Sequence, residues 1–219
     1  MAHIPYRPER LPVEESTKRG EALLEHLDTR RSVRFFSDAP VPRRLIELAI
    51  RAASTAPSGA HRQPWTFVAV ADPKLKRRIR EAAEREEKAF YEGRAPEAWL
   101  EALAPLGTTW QKPYLETAPW LVVLFAQAWG VDDEGQRLKH YYVPESCGIA
   151  AGLFLVALHE MGLSTLTHTP APMAFLRDVL GRPASERPMI LFPVGYAADD
   201  ATVPDLVRKP LGAVAEFHE

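Results

Sequence analysis

Three stretches of the chain are apolar with hardly a polar interruption: 65–71 (WTFVAVA), 120–127 (WLVVLFAQ) and 188–196 (PMILFPVGY). Runs this short, rich in Val, Phe and Leu, predict strands covered on both faces of a sheet. Between them the period lengthens. Leu45, Ile46, Leu48, Ala49 and Ile50, behind Pro42, predict a helix that turns these residues inward and ends near Ser54. Asp72-Pro73 predicts the start of a long charged helix reaching about Gly93. Leu23, Leu24 and Leu27 mark one face of a helix capped by Ser16 or Thr17 that runs out near Arg30. Shorter helices are expected at 96–104, 108–116 and 172–180, the last ended by Gly181. The segment from Pro144 to Met161 is apolar all round, with Gly148 and Gly152 leaving room for neighbours to approach. A helix with no polar face belongs at the centre of a fold or in a subunit interface. STLTH at 164–168 predicts a short strand. The alternation of Val33 and Phe35 predicts another, which puts Arg30, Ser32 and Arg34 on one side. Residues 1–15 read as an extended Pro-rich arm, and the tail TVPDLVRKPLGAVAEFHE as irregular. Together these elements predict an α+β fold over 1–219, one domain with a central sheet and long N- and C-terminal reaches.

Composition narrows the function classes. Apolar residues make up 46% and charged residues 26% of the 219, as in ordinary soluble domains. A formal charge of −2 offers no attraction for nucleic acid or an anionic membrane. The single cysteine, Cys147, excludes an internal disulfide and fits a reducing compartment. The apolar run Cys147 to Leu158 falls short of the about 20 residues a bilayer requires. MAHIPYRPERLPVEE carries no apolar stretch of a secretory signal, so a cytoplasmic protein is expected.

Several chemistries are missing. Ser58 lies in APSGA, with alanine where a nucleophile elbow needs glycine, and no phosphate loop or G-x-G-x-x-G is present. His159-Glu160 begins like a zinc helix, but position 163 is leucine, so no metal site is expected. Other segments raise questions. TAPSGAHRQPW (55–65) is longer than a helix-to-strand connection needs, is built of small residues, and is stiffened by Pro57 and Pro64. Something must come close to its backbone. TRRSVRFFSD (29–38) gathers Arg30, Arg31, Arg34 and the Ser32 hydroxyl, a set that fits a phosphate and equally a solvated charge cluster. Arg208 and Lys209 join it only if the tail folds back or reaches a partner subunit. Glu87 and Tyr91 are four apart on one helix face, and Lys112 follows later. Such a set can grip a zwitterion, an anion for its ammonium and a cation with a donor for its carboxylate. Alone, it looks like any solvated helix.

Read in order, RRSVRFFS, TAPSGAHRQPWTFVAV, WQKPYLETAP, HYYVPES, LSTLTHTP, GRP and PVGY…ATVPDLVRKPL resemble the iodotyrosine deiodinase branch of the nitroreductase superfamily, from about Arg30 to Leu211. The resemblance implies a nitroreductase-like central mixed sheet surrounded by helices, in a homodimer with an FMN at each subunit interface, held by both chains. By resemblance Arg30, Arg31, Ser32, Arg34 and Arg208 line the FMN, with Pro57, Ser58 and Gly59 as flavin-contacting backbone. The small Gly59 and Ala60 would let a flat ring approach. The Ala60 amide would face a substrate phenolate, while Thr167 and Thr169 would lie at the flavin. Thr169 would hydrogen-bond its N5 and favour single-electron steps. Glu87, Tyr91 and Lys112 would clamp the amino-acid end of a halotyrosine, or of a related halophenol. Trp99, Leu103 and Thr108 would form a lid, with residues 88–110 ordered only on a bound halotyrosine. The implied activity is FMN-dependent reductive dehalogenation, with Thr169 and Ala60 nearest the chemistry and electrons drawn from a separate reductase. Animal members carry an N-terminal membrane anchor, so this sequence reads as a soluble, microbial-type relative. Competing readings are an NAD(P)H-dependent nitroreductase or flavin reductase of broad specificity, and a non-catalytic binder of halotyrosine or flavin.

Overall fold

The computed structural model describes residues 3–219. It contains six strands: β1 (Trp65–Val70), β2 (Trp120–Gln127), β3 (Trp129–Val131), β4 (Arg137–Lys139), β5 (Ser164–Thr165) and β6 (Glu186–Gly195). Seven α-helices accompany them: α1 (Val13–Asp28), α2 (Arg43–Ala53), α3 (Pro73–Ala89), α4 (Glu97–Leu103), α5 (Tyr114–Thr117), α6 (Val143–Glu160) and α7 (Phe175–Val179). The chain divides into two units, one ending at Arg31 and one running from Ser32 to Glu219.

In the first unit α1 starts earlier than the expected cap. Pro12 is its N-cap, and Thr17 lies inside, its hydroxyl donating to the Val13 carbonyl at 2.9 Å. Proline's fixed φ ends the extended approach, and Glu14 and Glu15 suit the positive end of the helix dipole. No residue of α1 is buried; Leu23 and Leu24 face outward.

The second unit is built on a four-stranded sheet in the order β1-β2-β6-β5. Its ladders are antiparallel, and the parallel element is a bridge between Ser32 and Thr165. Strand β2 explains the layers. Val122 and Leu124 point to one face and pack with Ile46 and Ala49 of α2 and Ala150, Phe154 and Leu158 of α6. Leu121, Val123 and Phe125 point to the other, against Ile79 and Ala83 of α3, Leu115 of α5 and Leu176 of α7. All five β2 residues are fully buried, which is why the run shows no polar alternation. Each contributes about 1.5–3 kcal/mol by leaving water.

Some elements differ from expectation. Val33 and Phe36, not Val33 and Phe35, are buried, while Phe35 is exposed; the segment forms isolated bridges at Ser32 and Phe36 rather than a strand. Helix α5 is a single turn, because Pro113 stands at its N-cap. The β3–β4 hairpin turns at Asp132, whose carboxylate accepts from the amides of Glu134 and Gln136, with Gly135 at φ 79°. Helix α3 ends at Ala89 and passes into a π turn, Phe90–Arg94. Helix α6 is long and apolar enough to cross a bilayer, but Ser146, Cys147, Ala150, Ala151, Phe154 and Leu158 are buried in the sheet layer. Its other face, with Gly148, Ile149 and Gly152, is exposed, and a Cβ on either glycine would meet nothing within 4 Å.

Candidate active site

The C-terminal end of α3, the segment after α4 and the stretch following β5 converge on a cavity of about 280 Å³. It is lined by Arg34, Glu87, Tyr91, Lys112, Thr167 and Thr169, with Trp99, Leu103 and Thr108 among its remaining walls. A second cavity, of about 490 Å³, adjoins it, sharing Arg34, Thr108 and Tyr114 and adding Ser32, Phe35 and Thr202–Pro204.

The helical period places Glu87 and Tyr91 together, as expected. Lys112 stands opposite, 3% exposed, its Nζ 3.4 Å from Glu87 Oε2. Nζ also donates to the Thr108 hydroxyl at 3.1 Å and to the Thr109 carbonyl, and it lies 5.7 Å from the Tyr91 ring centre. The Tyr91 hydroxyl donates to the Thr108 carbonyl at 3.4 Å. Burial pushes the Glu87 carboxyl upward and the Lys112 ammonium downward, and in each case the partner's charge opposes the shift. Burial also raises Tyr91. The pair is thus short of solvent.

Thr167 and Thr169 are exposed, while Leu166, His168 and Pro170 between and beside them are buried. Exposure alternates along this stretch as in an extended segment, and both threonines line the cavity together with Leu166 and His168. The same stretch of cavity wall holds a group not anticipated from sequence. His168 is 5% exposed, its Nδ1 3.4 Å from the Tyr114 hydroxyl and its Nε2 buried without a hydrogen-bond partner. Burial, aided by Lys112 and Arg34, drives the imidazole down to about 3, so it is neutral. Burial likewise raises Tyr114. No spacing signal marks His168, because Tyr114 is its neighbour only in the fold.

Arg34 Nε is buried without a hydrogen-bond partner. A guanidinium turned toward two adjoining cavities, with hydroxyls of Ser32, Thr167 and Thr169 on their walls, fits a planar, polar group carrying an anion, as a flavin nucleotide does. Arg30 and Arg31 close the first unit, where Arg31 Nη1 donates to the carbonyls of Asp28 and Arg30.

The 57–60 loop lies elsewhere: neither cavity is lined by Pro57, Ser58, Gly59, Ala60 or Arg208. Arg208 is exposed in the tail. The loop is tied to the start of α6, where the Gly59 amide donates to Ser146 Oγ at 3.4 Å. Gly59 has a reason other than a bound ring. A Cβ there would stand 2.7 Å from the Tyr141 carbonyl and 2.9 Å from the Tyr142 ring. Ala60 is exposed and left-handed, at φ 51°, and His61, Gln63 and Tyr142 are left-handed too. Such backbone concentrates where a site holds it. Within one chain the loop and the cavity are separate places.

The sequence profile of the nitroreductase family matches residues 27–196. An iodotyrosine deiodinase of Haliscomenobacter hydrossis is 52% identical over 213 residues, covering 97% of this chain and 96% of the relative. Iodotyrosine deiodinase 1 of Homo sapiens is 47% identical over 98% of this chain and 74% of its own length. Among solved structures, oxidized iodotyrosine deiodinase bound to FMN and 3-iodo-L-tyrosine superposes with a TM-score of 0.77 at 31% identity, covering 90% of this chain and 99% of that one.

Proposed function

Because the chain belongs to the nitroreductase family and is similar along nearly its whole length to iodotyrosine deiodinases, we propose that it is an FMN-dependent enzyme that removes halide reductively from halotyrosines, releasing tyrosine. The observation that carries this reading is the cavity that sets Glu87, Tyr91 and Lys112 against Arg34, Thr167 and Thr169. FMN, when bound, supplies the electrons for cleavage of the carbon–halogen bond. The chain's own residues do the rest. Arg34 and Ser32 would hold the anionic cofactor, and the Thr167 and Thr169 hydroxyls on the cavity wall would donate to it, Thr169 toward its redox ring. Glu87 accepts from the substrate ammonium, and Lys112 with the Tyr91 hydroxyl donates to its carboxylate. A zwitterion converts one under-solvated ion pair into two, which favours halotyrosine over a bare halophenol. The walls formed by Trp99, Leu103 and Thr108 exclude water. No residue of α4 or of its flanking turns is buried, which suits a lid of low local stability.

The proposal includes a homodimer. The 57–60 loop of one protomer then meets the cavity of its partner, and the Ala60 amide donates to the substrate phenolate. The exposed Gly148–Ile149–Gly152 face of α6 supports such an interface. We propose that a separate reductase delivers the electrons. The buried Cys147 thiol, pushed up to about 11 by burial, suits the reducing cytoplasm.

The test is direct. FMN-loaded protein, reduced with dithionite without oxygen, is mixed with 3-iodotyrosine, and iodide and tyrosine are measured. Both are expected in equal amounts. Reduced flavin that stays reduced, with no iodide, overturns the reading. Glu87→Gln should keep its flavin while binding 3-iodotyrosine at least about tenfold more weakly, the scale of one charge-assisted contact.

A further inference from the structure

A polar stripe runs along α3. Lys76, Arg80, Glu84, Glu87 and Tyr91 follow one another at three- or four-residue steps and share a face. At each step down the helix the stripe grips the segment that carries Lys112. Lys76 Nζ donates to the carbonyls of Glu116 and Ala118 at 2.8 and 2.7 Å. Arg80 Nε donates to the Glu116 carboxylate. Glu84 Oε1 accepts from the backbone amide of Lys112 at 2.7 Å, and its Oε2 lies 3.3 Å from Arg80 Nη1. Glu87 pairs with the Lys112 ammonium.

Lys112 is therefore held at both ends, its main chain by Glu84 and its ammonium by Glu87 and Thr108. The Glu84 side chain is 14% exposed and lines neither of the two cavities. Its carboxylate is spent on one amide and one guanidinium. On the other side of Lys112 its carbonyl accepts from the Leu115 amide at 3.0 Å, but Pro113 offers no amide and residues 107–111 form no regular element, so Glu84 is the partner of the Lys112 N–H. A four-carbon side chain directs its ammonium only as well as its Cα is fixed.

We propose that Glu84, braced by Arg80, is a positioning residue that sets Lys112 for the carboxylate of the amino-acid substrate. The inference rests on the function proposed above, which gives Lys112 that role. It separates Glu84 from residues that merely stabilise the fold, because its effect falls on ligands with a carboxylate and spares those without one.

The experiment uses the FMN-loaded protein and two probes, 3-iodotyrosine and 2-iodophenol, with binding read from flavin fluorescence. Glu84→Ala should weaken 3-iodotyrosine roughly tenfold, the cost of one charge-assisted hydrogen bond to the amide. FMN and 2-iodophenol should bind within about twofold of wild type, the scatter of near-neutral sites. Glu84→Gln keeps an amide oxygen for the Lys112 N–H and should recover most of the loss. Arg80→Met frees the carboxylate and should weaken 3-iodotyrosine alone, by less, and it carries the test if Glu84→Ala does not fold. Unchanged affinity in Glu84→Ala, or equal loss of both probes, overturns the inference. A wild-type protein that binds no 3-iodotyrosine overturns the proposed function and this inference with it.

Discussion

Gly59 and His168 are two residues whose identity is decided by neighbours far off in sequence. At Gly59 a side chain would drive into the Tyr141 carbonyl at 2.7 Å, so Gly59→Ala is expected to destabilise the protein by about 1–3 kcal/mol in urea denaturation. His168 is buried neutral. The folded imidazole titrates at about 3 and the unfolded one near 6.5, so between these values the unfolded chain holds the extra proton. Stability must then fall as pH falls, by up to about 1.4 kcal/mol per pH unit from this group. His168→Gln should show a shallower loss of stability than wild type between about pH 6 and pH 4, measured by urea unfolding at each pH. Sequence reasoning read the exposed faces of this stretch well, since Thr167 and Thr169 announce themselves by alternation. It passed over His168 because nothing local distinguishes a buried neutral histidine from a solvated one. The small residues of the 57–60 loop were legible as a place of close approach, though Gly59 accommodates the chain's own Tyr141.

Among the elements, α3 does the most connecting. Its apolar residues Ile79 and Ala83 bury against the sheet, and its polar stripe fastens the α5 region. Lys76 is 7% exposed; burial lowers its ammonium, Glu116 opposes the shift, and two backbone carbonyls accept from it. Lys76→Met leaves those carbonyls without a donor and should cost about 1–3 kcal/mol in chemical denaturation. Strands β1, β2 and β6 were legible from their unbroken apolar runs because each is covered on both faces. The β3–β4 hairpin was not: its strands are three residues each, and Asp132 closes its turn through side-chain bonds that no periodicity reports. Val33 and Phe35 misled in a similar way, since two residues of alternation cannot distinguish a strand from a segment held by single bridges.

For the whole molecule, the open question posed by one chain is what covers α6. Ile149 is 46% and Tyr142 70% exposed, beside glycines with open space above them. The partner protomer proposed above would cover both. Ile149→Asp should sediment as a monomer and lose most of its flavin absorbance. A dimer that keeps its flavin would place the interface elsewhere.

In the proposed homodimer each site draws its loop, 57–60, from one protomer and its Glu87 cavity from the other, since neither cavity is lined by that loop within one chain. Ala60→Pro cannot keep the φ of 51° and so disrupts the loop that carries the amide, while Glu87→Gln weakens the clamp, so each pure variant has every site damaged. Unfolding and refolding them together deals the lesions at random. Half of the resulting pairs are hybrids, and each hybrid concentrates both faults at one site and leaves the other whole. At low 3-iodotyrosine the hybrids should therefore contribute roughly a quarter of wild-type turnover, above what either weakened parent gives, as twofold symmetry requires.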